Sequence, residues 1–166
     1  MKNNLIIIFL VLIINIIYIP SSISNEQFNF DVTEVEIKED GNRFIGKKRG
    51  TATSDKGMLI NADEFNYDKI RNILKVNGNL EFIDSQKKIK IYSDNGTYLK
   101  QEEKIFTEGN SKGIDQNGTI ITAHSFNYDK NLDILIATGN VKIVDVKRDY
   151  IIFAKKITYF RNIEKI

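Results

Sequence analysis

The sequence repeats itself, and this repetition constrains the fold more than any single residue does. Residues 60–105 align without a gap with residues 121–166, at a constant offset of 61 positions, and 18 of the 46 aligned pairs are identical. Both copies contain Phe-Asn-Tyr-Asp-Lys near their start and Gly-Asn further on. Repetition at a fixed period is typical of one structural unit that the chain uses more than once.

Each 61-residue unit is itself double. Similar segments open at four positions spaced 31, 30 and 31 residues apart, namely Ala62, Ser93, Ala123 and Ala154. The first three segments lead to a glycine at the same place, at Gly78, Gly109 and Gly139, and Gly46 is a candidate for a weaker, earlier copy. Such a glycine either bends a strand at a bulge or separates one strand from the next. No single unit buries its apolar face alone, so the core has to form by stacking neighbours.

Period-two alternation of apolar and polar residues predicts strands almost throughout. One parity of the first copy carries Leu74, Val76, Gly78, Leu80 and Phe82, and the second copy repeats this pattern. Four dipeptides predict hairpin turns: Asp40-Gly41, Lys56-Gly57, Asn95-Gly96 and Asn117-Gly118. No stretch outside the N-terminal segment has convincing helical periodicity. The sequence therefore predicts an all-β domain over residues 25–166.

The first 24 residues are predicted to be a secretory signal peptide rather than part of the fold. Lys2 precedes an apolar run from Leu5 to Ile19, and Ser22-Ile23-Ser24 provides small residues for cleavage after Ser24. The alternative is an uncleaved anchor, but the run spans only roughly 22 Å at about 1.5 Å per residue. No cysteine lies near the cleavage site, which excludes a lipid-anchored form.

The other end of the chain falls in the middle of a repeat. Ile166 aligns with Ile105, after which the first copy continues through the remainder of a strand. We therefore expect an incomplete last repeat and a longer protein of which this chain is the N-terminal piece.

Composition limits the classes of function. The chain has 24 basic and 22 acidic residues. Because Lys2 is the only charge in the signal segment, the mature net charge is near +1, which argues against a general nucleic-acid binder. The chain has no cysteine, so no disulfide holds it together.

We expect no catalytic site, no cofactor and no metal site. His124 is the only histidine, cysteine is absent, and no glycine-rich phosphate loop precedes a helix. Two pairs of aspartates recur at the repeat offset: Asp68 with Asp129, and Asp84 with Asp145. Paired carboxylates can hydrolyse glycosides, but capping of repeated turns explains these positions better.

The inward apolar row has two interpretations that periodicity cannot separate. One is an ordinary core sealed on both sides, and the other is a groove between two sheet faces that takes long acyl chains. Both need the same inward parity, and the pattern by itself favours the sealed core. Basic residues such as Lys75 and Lys142 could attract phosphates at a groove rim, although a solvated outer face is the favoured role for them.

The repeated motifs resemble those of the OstA-like lipopolysaccharide-transport family. The resemblance rests on residues 62–68 followed by residues 76–80, on residues 123–129 followed by residues 137–141, and on the intervening residues 103–110. It covers roughly residues 28–166. It implies an OstA-like β-jelly roll, an open V-shaped folded sheet whose inner face carries lipid A acyl chains. It also implies a non-catalytic periplasmic protein that joins other Lpt jelly-roll domains by edge-strand pairing.

On this resemblance, the candidate groove residues are those of inward parity: Phe65, Tyr67, Leu74, Val76, Leu80, Phe82, Ile89, Ile91, Phe126, Tyr128, Leu135, Val141, Ile143 and Ile152. The start of the domain resembles the N-terminal domain of LptD-type assembly proteins, which would add an outer-membrane barrel and its lipoprotein partner. A free LptA-type bridge protein is the alternative. From a different class, a structural β-repeat surface protein with a sealed core stays open.

Overall fold

The structure is a computed structural model that describes residues 28–54 and 57–161. The predicted signal peptide and the last residues of the final repeat lie outside the described residues. Within the described ranges, none of the helical segments has the length and apolar character that crossing a bilayer requires.

The described residues form ten β-strands and one short 3₁₀ turn at Glu39–Gly41. The strands are β1 (Asn29–Lys38), β2 (Arg43–Thr53), β3 (Met58–Ala62), β4 (Glu64–Asp68), β5 (Ile73–Asp84), β6 (Ile89–Leu99), β7 (Lys104–Asp115), β8 (Ile120–Asp129), β9 (Ile134–Asp145) and β10 (Tyr150–Phe160). The all-β prediction is confirmed. Most of these strands are ten to twelve residues long, so one 30-residue unit provides two long strands.

All ten strands belong to one antiparallel sheet that follows chain order. β3 and β4 are two halves of one interrupted strand, and both pair with β2 on one side and with β5 on the other. Because every connection joins neighbouring strands, the sheet is an up-and-down meander. β1 and β10 are its two edges among the described strands.

A line of bulges crosses the sheet and bends every long strand at the same height. In β5, β7 and β9 the two bulge residues are Gly78-Asn79, Gly109-Asn110 and Gly139-Asn140, all six with positive φ. Each pair lies opposite a single residue of one neighbouring strand. For example, Gly78 and Asn79 of β5 lie opposite Asp94 of β6. The glycine therefore bends a continuous strand, and the alternative of a strand boundary is wrong.

The bulge in β2 lies at Lys48-Arg49, which also have positive φ, and faces a single residue of β1. Gly46, which the sequence offers as an earlier copy of the repeated glycine, lies three residues before Arg49 and outside the bulge. Its φ is not positive. A side chain at Gly46 would press on Val32 and Phe44, which lie 3.1 and 3.2 Å from a Cβ built there. Glycine is therefore favoured at position 46 by close packing and not by the backbone conformation.

We call this line of bulges the crease, because it divides the sheet into two leaves that face each other. The first leaf holds residues 34–47, 64–77, 95–108, 125–138 and 156–160, and the second leaf holds residues 29–32, 50–62, 80–92, 111–122 and 141–154. Inward side chains of both leaves form a single buried cluster. At the edges opposite the crease, which we call the mouth, the turns of the first leaf meet those of the second.

Aspartates cap the repeated turns, as the sequence predicts. The Oδ1 atoms of Asp68, Asp84, Asp129 and Asp145 each accept a hydrogen bond from the backbone N–H three residues on, at 2.8–2.9 Å. The side chain thereby stabilises the tight turns of four hairpins, β4–β5, β5–β6, β8–β9 and β9–β10.

The turn predicted at Asn95-Gly96 is wrong, because both residues lie inside β6. A Cβ on Gly96 would come within 2.5 Å of the Leu80 side chain, so glycine is required by packing at this point. Asn117-Gly118 and Asp40-Gly41 do occupy turns, with both glycines at positive φ.

Candidate functional site

The predicted groove residues line the interior between the two leaves, and the interior is closed. Thirteen of the fourteen are buried in the core cluster, and Ile152 on β10 is 44% exposed. The gap between the leaves beside Leu80 and Tyr98 has a cavity volume of only about 10 Å³. The sealed arrangement matches the alternative that the sequence pattern by itself favours.

Three hydroxyl groups interrupt the apolar row near the middle of the crease, and the sequence analysis did not identify them. The Ser111 hydroxyl lies 3.1 Å from that of Ser93 and 2.7 Å from that of Thr107, and all three side chains are buried. Ser93 Oγ also donates to the carbonyl oxygen of Gly109, and Thr107 Oγ1 accepts from the Phe126 N–H. These bonds satisfy the buried hydroxyls, which would otherwise be costly. The inner face is therefore mainly apolar in β5 and β9, whereas β7 carries the two hydroxyl side chains Thr107 and Ser111 beside Ile105.

A tyrosine followed two residues later by a cation recurs at the mouth of every layer. The pairs are Tyr67 with Lys69, Tyr98 with Lys100, Tyr128 with Lys130, and Tyr159 with Arg161. In each pair the tyrosine ring faces the interior at the end of a first-leaf strand. The backbone N–H of each cation donates to a carbonyl of the preceding turn, at 2.9–3.0 Å. The four cations therefore form one row along the mouth, which we call the cation row.

The tyrosine hydroxyls bond acceptors at the same edge. Tyr67, Tyr98 and Tyr128 donate to the side chain five residues on, which is Asn72, Glu103 and Asp133 respectively, at 2.6–3.1 Å. This regular spacing is readable in the sequence once the strand ends are known. It is a signal that the sequence analysis missed.

The third cation, Lys130, holds the two leaves together through a buried ion cluster. Its Nζ lies 3.3 Å from Asp84 Oδ2, at the end of a second-leaf strand, and 2.7 Å from Glu103 Oε2, in a first-leaf turn. The same Nζ lies 3.8 Å from the Met58 sulfur, again in the second leaf. Lys130 is only 8% exposed, so its charge depends on these two carboxylates for compensation.

The fourth cation, Arg161, bridges the leaves in a different way. Its guanidinium forms an ion pair with Asp133 at 2.6 Å within the first leaf, and donates to the Lys87 carbonyl oxygen of a second-leaf turn at 2.6 Å. Next to it, Tyr159 Oη donates to Asp115 Oδ2 of the second leaf at 2.8 Å. The mouth is thus closed by polar contacts that differ from one layer to the next.

Burial and these contacts raise the pKa values of the Tyr128 and Tyr159 hydroxyls at the mouth. Burial raises the pKa of the Tyr128 phenol far above its usual range, opposed in part by the nearby Arg161 charge. Burial, together with the hydrogen bond to the Asp115 carboxylate, raises the pKa of Tyr159 to about 12. Both hydroxyls therefore stay protonated at neutral pH and act as hydrogen-bond donors.

The interior opens at the two ends of the sheet rather than along the mouth. At the β1 end, an open pocket with a volume of about 180 Å³ is lined by Phe28, Phe30, Ile37, Gly41, Asn42, Phe44, Tyr67 and Lys69. At the β10 end, Ile152 pairs with the buried Ile143 and so lies on the inner face, yet it stays half-exposed. The apolar row is therefore covered in the middle and uncovered at both edges.

The remaining candidates lie outside the interior. Lys75 and Lys142 are exposed on the outer faces of their strands, and the Lys142 ammonium lies 5.8 Å from the centre of the Phe153 ring. His124 is exposed at the crease, opposite Gly139. Within the described part of the chain, no group of three or more histidine, cysteine or acidic side chains could hold a metal ion.

Comparison with known proteins shows the fold. No family model matches the chain, and no curated protein matches it in sequence. Among solved structures, the chain resembles LptH from Pseudomonas aeruginosa, described as the LptA-homologous periplasmic component of the conserved lipopolysaccharide transport device. The TM-score is 0.62 at 12% sequence identity, over 78% of this chain and 94% of that one. The predicted all-β, LptA-like β-jelly roll is therefore confirmed.

Proposed function

We propose that this protein is a non-catalytic carrier in lipopolysaccharide transport, which takes the acyl chains of the lipid between its two leaves. One observation carries the proposal. A single apolar cluster runs through the folded sheet from Phe28 to Ile143, in the fold of a periplasmic component of a lipopolysaccharide transport device. Transfer of each CH₂ of an acyl chain from water to such an interior is worth roughly 0.8 kcal/mol.

In this proposal, the closed interior is the empty state of the carrier, and the acyl chains enter when the leaves part. The two leaves are joined covalently only along the crease. At the mouth they meet through side-chain contacts such as Lys130 with Asp84 and Tyr159 with Asp115. Opening the mouth therefore breaks these polar contacts and separates apolar side chains of the two leaves, such as Phe82 from Tyr98, but leaves the strand ladders intact.

The edge strands provide a means to pass the lipid on. Each of β1 and β10 has one unpaired side among the described strands, and an unpaired edge is a template for a strand of another chain. Edge-to-edge pairing with other jelly-roll domains would join their interiors end to end. The uncovered inner residues Ile37 and Ile152 would then be covered by the neighbouring domain.

We assign the chain in first place to the N-terminal domain of an LptD-type assembly protein, and in second place to a free LptA-type bridge. An LptD-type protein would act at the outer membrane with a barrel and a lipoprotein partner, whereas a bridge would act in the periplasm. The genomic sequence after Ile166 tests this choice, because several hundred residues of alternating strands would favour the barrel. A stop codon soon after Ile166 would favour the bridge.

Photo-crosslinking in cells tests the carrier function. We expect a photoreactive residue at Leu80 or Val141, which face the interior, to capture lipopolysaccharide. Probes at Glu81 and Lys75 provide matched controls, because these residues lie on the opposite face of the same strand as Leu80. Equal capture from Leu80 and Glu81 would contradict an interior path for the lipid.

A structural repeat protein with a permanently dry core is the second candidate, and the closed interior favours it. Native mass spectrometry of the purified protein separates the two. Co-purified lipid of lipopolysaccharide mass supports the carrier. Its absence from both the purified protein and the crosslinked products would support the structural role.

A further inference from the structure

We propose that the β1 end of the mouth is a loading site for an anionic amphiphile, with the tail in the aromatic pocket and the head group at Lys69. This inference rests on the proposed carrier function and adds where the lipid is taken up and which chemistry recognises it. The ligand is a molecule with a long apolar tail and a negatively charged head.

The pocket has the character of a tail site. Its walls come from Phe28, Phe30, Phe44 and Tyr67, and the Phe30 and Phe44 rings stack with their centres 4.0 Å apart. Ile37 forms the outer wall and is 64% exposed, so it offers apolar surface that the fold itself leaves uncovered. Small-molecule sites are typically apolar concavities with a few polar groups that fix orientation.

Lys69 supplies the polar group. It lines the same pocket, and it is the exposed member of a row whose next two cations are buried. Lys130, the exact repeat counterpart of Lys69, holds Asp84 and Glu103, and Lys100 lies 4.8 Å from the centre of the Phe28 ring. Of the four cations, Lys69 is therefore the one that is both exposed and part of the lining of this pocket.

The rest of the row gives the site a direction. Lys100, Lys130 and Arg161 follow Lys69 at spacings of 31, 30 and 31 residues, one per layer, along the mouth. When the leaves part, each would offer a positive charge to the head group while the tail lies in the interior. The carboxylates that now hold Lys130 would compete with that head group, so the first binding step falls at Lys69.

Calorimetric titration with two amphiphiles of equal tail length tests the loading site. The probes are dodecyl phosphate and dodecyl maltoside, both used below their micelle concentrations on the full chain. We expect the native protein to bind dodecyl phosphate more tightly than dodecyl maltoside. Lys69→Gln should weaken the binding of dodecyl phosphate about two- to fivefold, as expected for the loss of an exposed charge pair. The same substitution should leave the affinity for dodecyl maltoside unchanged.

The pocket has its own pair of variants. Ile37→Trp should fill the pocket and abolish binding of both amphiphiles. Val35→Trp is the matched control, because Val35 lies on the same face of the same edge strand but outside the pocket lining. Lys75→Gln controls for loss of a positive charge on the outer face. Neither Val35→Trp nor Lys75→Gln should change the affinity for dodecyl phosphate or for dodecyl maltoside.

The outcomes separate this inference from the carrier function. The assignment of the loading site is wrong if Lys69→Gln and Lys75→Gln weaken the binding of dodecyl phosphate equally. It is also wrong if Ile37→Trp and Val35→Trp reduce the affinity for the amphiphiles equally. Capture of lipopolysaccharide from Leu80 would then still support the carrier. If the native protein binds both amphiphiles with equal affinity, the role of Lys69 is overturned. If it binds neither, the pocket is overturned as well.

Discussion

The crease and the mouth are the two long borders of the same folded sheet, and they are built in opposite ways. At the crease β5, β7 and β9 use the same Gly-Asn pair, while β2 uses Lys48-Arg49, and two of the Gly-Asn pairs are held by the same kind of hydrogen bond from asparagine to aspartate. Asn79 donates to Asp63 at 2.7 Å, and Asn110 donates to Asp94 at 2.9 Å. At the mouth each layer has a cation at the same position, but the side chains of Lys130 and Arg161 bridge the leaves through different partners.

The difference follows from what each border has to satisfy. The bend is a local property of backbone dihedrals, so the same two residues produce it wherever they occur. Closure of the mouth joins residues far apart in sequence, such as Asp84 with Lys130, and the twist of the leaves brings different neighbours together in each layer. The crease is therefore a repeated hinge, and the mouth is a set of individual contacts.

The largest expected effect is at the mouth. Lys130→Met should destabilise the fold by about 3–5 kcal/mol, because it leaves two poorly exposed carboxylates without their cation. The repeat counterpart Lys69 is exposed, so Lys69→Met should change the free energy of unfolding by less than about 0.5 kcal/mol. Chemical denaturation of both variants measures the contrast.

A double variant shows whether the ion cluster is the cause. Asn at position 84 keeps a side-chain oxygen for the Lys87 N–H but removes the charge. Asp84→Asn combined with Lys130→Met should be more stable than the sum of the single effects predicts, by about 1–3 kcal/mol. Strict additivity would mean that Lys130 stabilises the mouth through packing alone.

The next largest effect is at the crease. Gly78 and Gly118 both have positive φ, at +76° and +82°. A Cβ at Gly78 would lie 2.5 Å from Asp63 Oδ2, whereas a Cβ at Gly118 would have no atom within 4 Å. Gly118→Ala should therefore cost about 1 kcal/mol from backbone strain, and Gly78→Ala about 2–3 kcal/mol from strain and steric contact.

Thermal unfolding of the two glycine variants compares these costs. The two substitutions impose the same chemical change at similar φ, so their difference reports the crowding at the crease. Equal destabilisation would show that Asp63 moves aside freely and that the crease is not tightly packed.

The smallest effect concerns Tyr159 and depends on pH. Its folded-state pKa of about 12 lies above the ordinary value of 10.0, so the folded protein holds the phenol proton more tightly than the unfolded chain does. The stabilisation is complete below about pH 10 and is lost as pH rises through about 12. Tyr159→Phe should cost about 1 kcal/mol at pH 7 through the lost hydrogen bond to Asp115.

Denaturation curves of the native protein and Tyr159→Phe between pH 7 and pH 12 provide the measurement. The difference in stability between the two proteins should shrink above pH 10. A constant difference over that range would show that the Tyr159 hydroxyl does not couple folding to protonation.

Local sequence signals predicted the repeated bends and most of the turns. They failed where packing against a distant residue determined the conformation. The Gly-Asn pairs and the turn aspartates were identified from spacing, because bulges and Asp-capped turns depend on a few consecutive residues. Asn95-Gly96 has the same local chemistry as a hairpin turn but lies within β6. There the side chain of Leu80 occupies the space beside Gly96, so a contact across the sheet decided its role.

The interior shows the same limit. Period-two alternation placed all fourteen candidates on the inner face, because parity along a strand is a local property, and thirteen of them are buried there. Alternation did not reveal that β7 carries Thr107 and Ser111 inward, where they bond each other. It also could not indicate whether the two inner faces touch, because that depends on the angle between the leaves.

The sequence by itself determined the strand character of the chain, the spacing of the bends and the face that each side chain takes. These follow from short-range backbone preferences repeated every 30 or 31 residues. Only the tertiary structure decided that the leaves close on each other, that Lys130 is buried while its repeat counterpart Lys69 is exposed, and that the interior opens at its ends. The reason is that burial and charge pairing depend on which distant residues the fold brings together, and similar repeats meet different neighbours at each position in the stack.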